Sequence, residues 1–200
     1  INDTFPSAQP STGWGMTETN AIGTGIGGED YVDHPGSSGR VSALLDIRVL
    51  GESGEELPAL ERGELQIRGA SIIKGYWERE EANREAFDGD WLKTGDIGYL
   101  DNEGYLYIVD RIKDLVIRGG ENIYPREIEE FLYKNPKIQD VHIIGVPDDR
   151  YGEELCAWIK LRKGENSDIN EIAAFCEGKI AHYKIPKYIE FVESFPMTVT

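Results

Sequence analysis

The sequence predicts an α+β protein in two parts. A mainly β segment spans residues 1–112, and a small α+β domain, a sheet covered by helices, spans residues 113–200. Three observations carry that reading. Between Gly39 and Val109 the chain is a series of short runs rich in β-branched and aromatic residues, broken by turn residues. Beyond Asp114, two segments with apolar residues at helical spacing alternate with strand-like runs. The texture changes at "DRIKD" (110–114), four charges in five residues between "EGYLYIV" and "LVI". A tight hairpin would normally use Asn-Gly or Asp-Gly there, so the segment reads as a joint between two modules.

Taken in order, residues 1–39 are rich in Gly, Ser, Thr and Pro and read as loop around one polar stretch, "GWGMTET" (13–19). "RVSALLDIRVLG" and "GELQIRG" read as strands. In the second, Leu65 and Ile67 alternate with Glu64, Gln66 and Arg68, the period of a half-buried strand. "WEREEANREAF" (77–87) has few apolar residues and suits a surface helix. "WLKTGDIGYLDNEGYLYIVD" reads as short strands broken at "TGD" and turned at "DNEG". In the second part, "YPREIEEFLYKNP" is a helix with Pro125 in its first turn, Ile128, Phe131 and Leu132 on one face, and Pro136 as its stop. "VHIIGVPD" and "LCAWIKLRK" read as strands. "SDINEIAAFCEGKIA" is a second helix with Ser167 as N-cap and an apolar stripe of Ile169, Ile172, Cys176 and Ile180. Gly178 inside it costs about 1 kcal/mol against Ala. "YIEFVESFP" adds a closing strand.

Composition narrows the function. Two hundred residues with 40% hydrophobic and 29% charged residues suit one large or two small globular domains. The net charge is −16, divided as −12 over residues 1–111 and −4 over 112–200. Neither part has the basic surplus of a duplex nucleic-acid binder, so no nucleic acid is expected as a partner. No run of 18 apolar residues predicts a membrane span. Cys156 and Cys176 form no CxxC pair and read as small buried residues in a reducing, cytoplasmic setting. His34, His142 and His182 are scattered, with no ligand or base at motif spacing.

Among motifs, "GTGIGG" (23–28) formally matches G-x-G-x-x-G. No apolar strand precedes it, and "EDYVDHPGSS" after it is a poor helix opening, so a pyrophosphate would meet no helix N-terminus. It reads as a flexible loop. "GWGMTET" differs. Gly13 and Gly15 allow close backbone approach, Trp14 offers a flat face, Thr17 a hydroxyl and Glu18 a hard oxygen ligand. Those groups suit a nucleotide with Mg2+, and they equally suit a Gly/Thr turn with a packed Trp. "KTGD" (93–96) presents Asp96, which could accept two hydrogen bonds from a ribose diol or simply shape a turn.

Four stretches in order, "GWGMTET", "GELQIRGASIIKGYW", "WLKTGDIGYLDNEGYLYIVDRIKDLVIRGGENIYPREIE" and "IPKYIEFVESFP", resemble the adenylate-forming superfamily of acyl-CoA synthetases, adenylation domains and luciferases. "GGENIYPREIE" is most similar to the fatty- and aryl-acid CoA ligases. The resemblance implies an ATP-dependent carboxylic acid–CoA ligase that forms an acyl-adenylate and then a thioester, with ATP, Mg2+ and CoA as its small-molecule requirements. It places Thr17 on the α-phosphate, Glu18 on Mg2+, and Gly13, Trp14 and Gly15 along the adenine and acyl-pocket edge. Trp14 stands where Tyr is more usual. Asp96 would bind the ribose hydroxyls with Arg111 beside it. Lys113 matches the hinge about which the small domain rotates between half-reactions. Gly119 and Gly120 match the loop that meets the pantetheine of CoA. Residues 1–112 would then be the C-terminal part of a large AMP-binding domain, and 113–200 a truncated small mobile domain. The family's adenylation lysine would fall beyond Thr200, so these residues are expected to be a fragment without appreciable adenylation by itself. An adenylation domain loading a carrier protein, or a nucleotide-binding module without turnover, fits the same motifs.

Overall fold

The computed structural model describes residues 7–196, and the chain divides into two compact units, Ile1–Ile112 and Lys113–Thr200. Both sheet-forming parts are mainly β, and the second combines its sheet with helices.

The first unit contains β1 (Ser11–Trp14), β2 (Thr24–Gly27), α1 (Glu29–Asp33), β3 (Gly39–Val41), β4 (Leu45–Leu50), β5 (Gly63–Gly69), α2 (Glu80–Ala86), β6 (Phe87–Asp88), β7 (Trp91–Leu100) and β8 (Tyr105–Arg111). Its strands form one antiparallel sheet in the order β1-β2-β3-β8-β7-β5-β4, with β6 beside β7. Leu65, Ile67, Leu92 and Leu106, all at 1% exposure or less, lie in two small cores. Half-buried Trp14 packs against both.

Several expectations need correction here. Residues 11–27 are not loop but a paired hairpin, β1–β2 in register from Ser11↔Gly27 to Trp14↔Thr24. "GTGIGG" is therefore largely strand. The missing side chains hid it, because only Ile26 is buried and no period of two can be read from glycines. "EDYVDHPGSS" does begin a helix, a single turn whose N-cap, Gly28, supplies no capping side chain. "RVSALLDIRVLG" is two strands, β3 and β4. "KTGD" does not end its strand: β7 runs on through it, but Thr94–Asp96 bulge against β5 between the pairs Gln66↔Lys93 and Glu64↔Ile97, and a second register shift, against β8, follows between Ile97 and Gly98. Gln66 does not face water; it is 2% exposed, and its Oε1 accepts from Arg48 Nε (3.1 Å) and Nη2 (2.6 Å). Pairing made inside the protein lets a polar group occupy the core.

The second unit contains β9 (Val116–Arg118), β10 (Glu121–Ile123), α3 (Pro125–Leu132), β11 (Ile138–Asp148), β12 (Gly152–Leu161), α4 (Ile169–Cys176) and β13 (Tyr188–Phe191). β12 is central. It pairs antiparallel with β11 along its length, parallel with β13 at Cys156–Ile159, and with β9 at Gly152 alone. A parallel neighbour requires a crossover, which α4 supplies between β12 and β13. Ile128 and Leu132 of α3 and Ile172 and Cys176 of α4 share one core with Val141, Ile143, Leu155, Ala157 and Ile159 of the sheet. The Phe131 and Phe175 rings lie 5.2 Å apart, so both helices cover the same face. Fully burying each large aliphatic side chain contributes about 1.5–3 kcal/mol. Burial holds the Cys156 and Cys176 thiols above their ordinary range; both are free.

In α4 the N-cap is Asp168 rather than Ser167. Asp168 Oδ1 accepts from the Glu171 amide at 2.9 Å, while Ser167 Oγ donates to the Glu171 carboxylate. The helix ends at Cys176, so Gly178 (φ 70°) lies past it, and Ile169 is half-exposed and not part of the stripe. Among the described residues no helix is long and apolar enough to cross a membrane.

Candidate active site

The residues singled out by sequence fall into two groups, one in each unit. In the first unit the short β1–β2 hairpin brings Trp14 to Asp96, 82 positions away in the chain: the indole Nε1 donates to Asp96 Oδ2 at 2.8 Å. From β8, the register partner of Asp96 is Arg111, whose Nε donates to Oδ1 at 3.1 Å. The amide of Asp96 donates to Thr94 Oγ1 at 3.1 Å, and Thr94 Oγ1 donates to the Leu65 carbonyl, anchoring this part of β7. Asp96 is 7% exposed, so its carboxylate is mostly desolvated and held by one neutral and one cationic donor. A carboxylate offers about four acceptor positions. These two donors leave capacity for a ligand that presents paired hydroxyls.

Gly13 and Gly15 have a local explanation. A Cβ on Gly13 would stand 2.5 Å from the Thr24 carbonyl oxygen, and one on Gly15 would stand 3.0 Å from the Ala21 carbonyl oxygen. Their first role is thus to let the hairpin close on itself. Between the strands, Thr17–Thr19 forms one 3-10 turn. Buried Thr19 closes it: its hydroxyl donates to the Met16 carbonyl (2.9 Å) and accepts from the Met16 amide (3.1 Å). Asn20 and Ala21 follow in left-handed conformation (φ 53° and 60°), and Asn20 Nδ2 donates to the Ser71 carbonyl at 2.8 Å. The turn leaves Thr17 exposed and Glu18 half-buried.

Glu18 has a partner that sequence reasoning missed. Tyr76 Oη donates to Glu18 Oε1 at 2.8 Å, and this bond is the main reason that the Tyr76 phenol is held above its ordinary pKa. Tyr76 is itself fixed by Asn83 of α2, which accepts from its amide at 2.6 Å and donates to its carbonyl at 2.9 Å. Tyr76 lies within "GELQIRGASIIKGYW"; its neighbouring Gly75 was the available signal of a special backbone, with φ 139°. Among the described residues, Glu18 Oε2 has no protein partner and no group of three or more His, Cys, Asp or Glu converges on a metal position. A single carboxylate with one open oxygen fits Mg2+ held chiefly by substrate phosphates and water, which takes one or two protein carboxylates. It does not fit an all-protein metal cage.

In the second unit, exposed Lys113 lies in a single 3-10 turn, Ile112–Asp114, where one compact unit gives way to the other. Gly119 and Gly120 form the two-residue turn between β9 and β10, with Arg118 opposite Glu121. Both have positive φ (60° and 89°), the requirement of a type I′ hairpin turn, and both are exposed.

Comparison with known proteins adds a different kind of observation. Residues 1–77 match the model of the AMP-binding enzyme family, and residues 127–200 match that of the AMP-binding enzyme C-terminal domain. The chain is 44% identical over 190 residues to the human medium-chain acyl-CoA ligase ACSF2, mitochondrial, covering 94% of this chain and 31% of that protein. It is 43% identical over 191 residues to the putative acyl-CoA synthetase YngI of Bacillus subtilis, covering 94% of this chain and 35% of that protein. It thus spans about a third of the length of these relatives. Among solved structures, ATP-bound MatB from Rhodopseudomonas palustris superposes with a TM-score of 0.87 at 35% identity, over 94% of this chain and 38% of that one. The o-succinylbenzoate CoA synthetase MenE from Bacillus subtilis, in complex with its acyl-adenylate intermediate, gives 0.86 at 35% identity, over 93% and 38%.

Proposed function

Because the chain belongs to the family of AMP-binding, adenylate-forming enzymes, we propose that the complete enzyme is an ATP-dependent carboxylic acid–CoA ligase. The observation that carries this reading is Asp96, a buried carboxylate fixed by Trp14 and Arg111 with acceptor capacity to spare. Asp96 accepts from the ribose hydroxyls of ATP, Arg111 and Trp14 hold it in place, and Gly13, Trp14 and Gly15 flank the adenine and the acyl pocket. Thr17 directs its hydroxyl at the α-phosphate. Glu18 holds Mg2+, oriented by Tyr76; when bound, that ion neutralises charge on the phosphates.

In the first half-reaction a carboxylate oxygen attacks the α-phosphorus, the bond to pyrophosphate breaks, and acyl-adenylate forms. In the second, the CoA sulfur attacks the acyl carbon, its proton is lost, and AMP departs. Such steps depend on positioning and charge neutralisation more than on covalent help from the protein. The reading assigns Lys113 to the swivel between half-reactions and Gly119–Gly120 to contact with the pantetheine arm. The test is acid-dependent exchange of labelled pyrophosphate into ATP by the complete enzyme. Exchange that requires a carboxylic acid supports the reading, and its absence with every acid tried opposes it.

Two further results are expected in the complete enzyme. Tyr76→Phe removes the donor that fixes Glu18 while keeping the ring. It should raise the Mg2+ concentration for half-maximal adenylation roughly tenfold, with thermal stability little changed; an unaltered Mg2+ titration would show that Tyr76 does not orient Glu18. Lys113→Pro fixes φ at one hinge residue and should slow thioester formation about tenfold more than adenylation. Equal loss in both half-reactions would refute the swivel role.

A further inference from the structure

The hairpin that bears Gly119 and Gly120 has a weak backbone attachment. Its strands are three residues each, and β9 meets β12 at one register pair, Gly152↔Arg118, supplemented by the Gly119 amide donating to the Tyr151 carbonyl at 2.8 Å. Edge pieces with so few ladder bonds open readily. Side chains supply what the backbone lacks. Two adjacent acids of β12, Glu153 and Glu154, point to opposite faces of the sheet, as neighbours on a strand must. Glu153 Oε2 accepts from the Ile117 amide at 2.7 Å. Glu154, 2% exposed, grips the Arg118 guanidinium with both oxygens: Oε1 accepts from Nε, and Oε2 accepts from Nη2 at 3.1 Å.

The network extends one layer further. Lys187 Nζ lies 3.9 Å from Glu154 Oε2 and 2.9 Å from Asp148 Oδ2. Asp148 Oδ1 accepts from the amides of Arg150 and Tyr151, both at 3.0 Å. Arg118 stacks over the Tyr151 ring at 4.1 Å, and that ring stands 3.2 Å from where a Cβ on Gly119 would be. The two acids, Arg118, Lys187 and the 148–151 turn thus converge on one short hairpin. A buried bidentate pair of this kind gives geometric specificity rather than much net stability. It is costly to break on one side only, because the other charge is left buried.

We propose that Glu154, acting through Arg118, is a positioning residue for thioester formation: it holds the Gly119–Gly120 turn in the shape that receives coenzyme A. The proposal rests on the assignment of that turn to CoA made above. Glu154→Gln keeps the size of the side chain but replaces one acceptor with an amide donor facing Arg118 and leaves the arginine's charge uncompensated. In the complete enzyme this variant should form thioester from supplied acyl-adenylate and CoA at a rate lowered roughly 10- to 100-fold, with a raised KM for CoA. Acid-dependent ATP–pyrophosphate exchange should stay within about twofold. Arg118→Lys, which keeps the charge but gives up the fork, should show the same split more mildly. Amide exchange should quicken at Ile117 and Gly119 and not along the β11–β12 ladder.

Normal thioester formation in Glu154→Gln, alongside a loss in Gly120→Ala, would overturn the positioning role while sparing the CoA assignment. If both variants are silent, the assignment of the turn to CoA falls with it. Equal losses in both half-reactions, or faster exchange throughout the second unit, would also overturn the proposal by making Glu154 a general fold residue.

Discussion

Asp96→Asn in the complete enzyme is expected to weaken ATP binding roughly ten- to a hundredfold. The reason lies in the donor count. The native carboxylate, itself 7% exposed, accepts from half-buried Trp14 Nε1 on one oxygen and from Nε of the exposed Arg111 on the other. An Asn has one acceptor and one donor end, so whichever way it turns, its NH2 faces either the indole N–H or the guanidinium. One donor loses its protein acceptor, and the ribose diol loses a charged one. Hydrogen bonds to charged groups contribute about 1.5–3 kcal/mol, which sets the size of the effect. ATP binding measured by calorimetry, alongside thermal unfolding of the same variant, would check it. Unchanged affinity would show that Asp96 serves the hairpin alone.

Glu18→Gln should act by a different route and more strongly on rate. The amide oxygen of Gln can still accept from Tyr76 Oη, so the turn at Thr17–Thr19, closed by Thr19 on the Met16 backbone, should keep its shape. What disappears is the negative charge offered to Mg2+. Adenylation should fall on the order of 10²–10³-fold at millimolar Mg2+, recover partly as Mg2+ is raised, and leave thioester formation from supplied acyl-adenylate nearly intact. A variant with full adenylation at low Mg2+ would remove Glu18 from the metal role.

The fold was legible where side chains carry the pattern. Pro125, Ile128 and Leu132 mark α3, and the apolar runs of β11 and β12 mark the central ladder, because helix and strand periods are written in buried aliphatic residues. It was not legible in β1–β2, where glycines let two strands pair without leaving a hydrophobic period. Gln66 misled for a related reason: alternation reports polarity, and a polar group satisfied by Arg48 can be as buried as Leu65. At α4, Ser167 and Asp168 are both good caps, and only the geometry of Asp168 Oδ1 on the Glu171 amide decides between them.

The candidate site divides in the same way. No local spacing joins Trp14 to Asp96 or Glu18 to Tyr76; only the sheet register and the return of the chain through Ser71–Tyr76 bring them together. The pairing of Asp96 with Arg111 is closer to the sequence, since both flank one β-hairpin, yet the register shift at Ile97/Gly98 decides that they face each other. Tyr76 and Glu154 were missed because each acts through another residue, and such partners leave no motif of their own.

The most direct test of the ligase reading is product analysis by mass spectrometry on the complete enzyme, given ATP, Mg2+, CoA and a mixture of carboxylic acids. The account predicts an acyl-CoA thioester with AMP and pyrophosphate, and the thioester mass names the preferred acid. Acyl-adenylate accumulating without thioester would contradict coenzyme A as the acceptor, and ATP left intact with every acid would contradict adenylation itself.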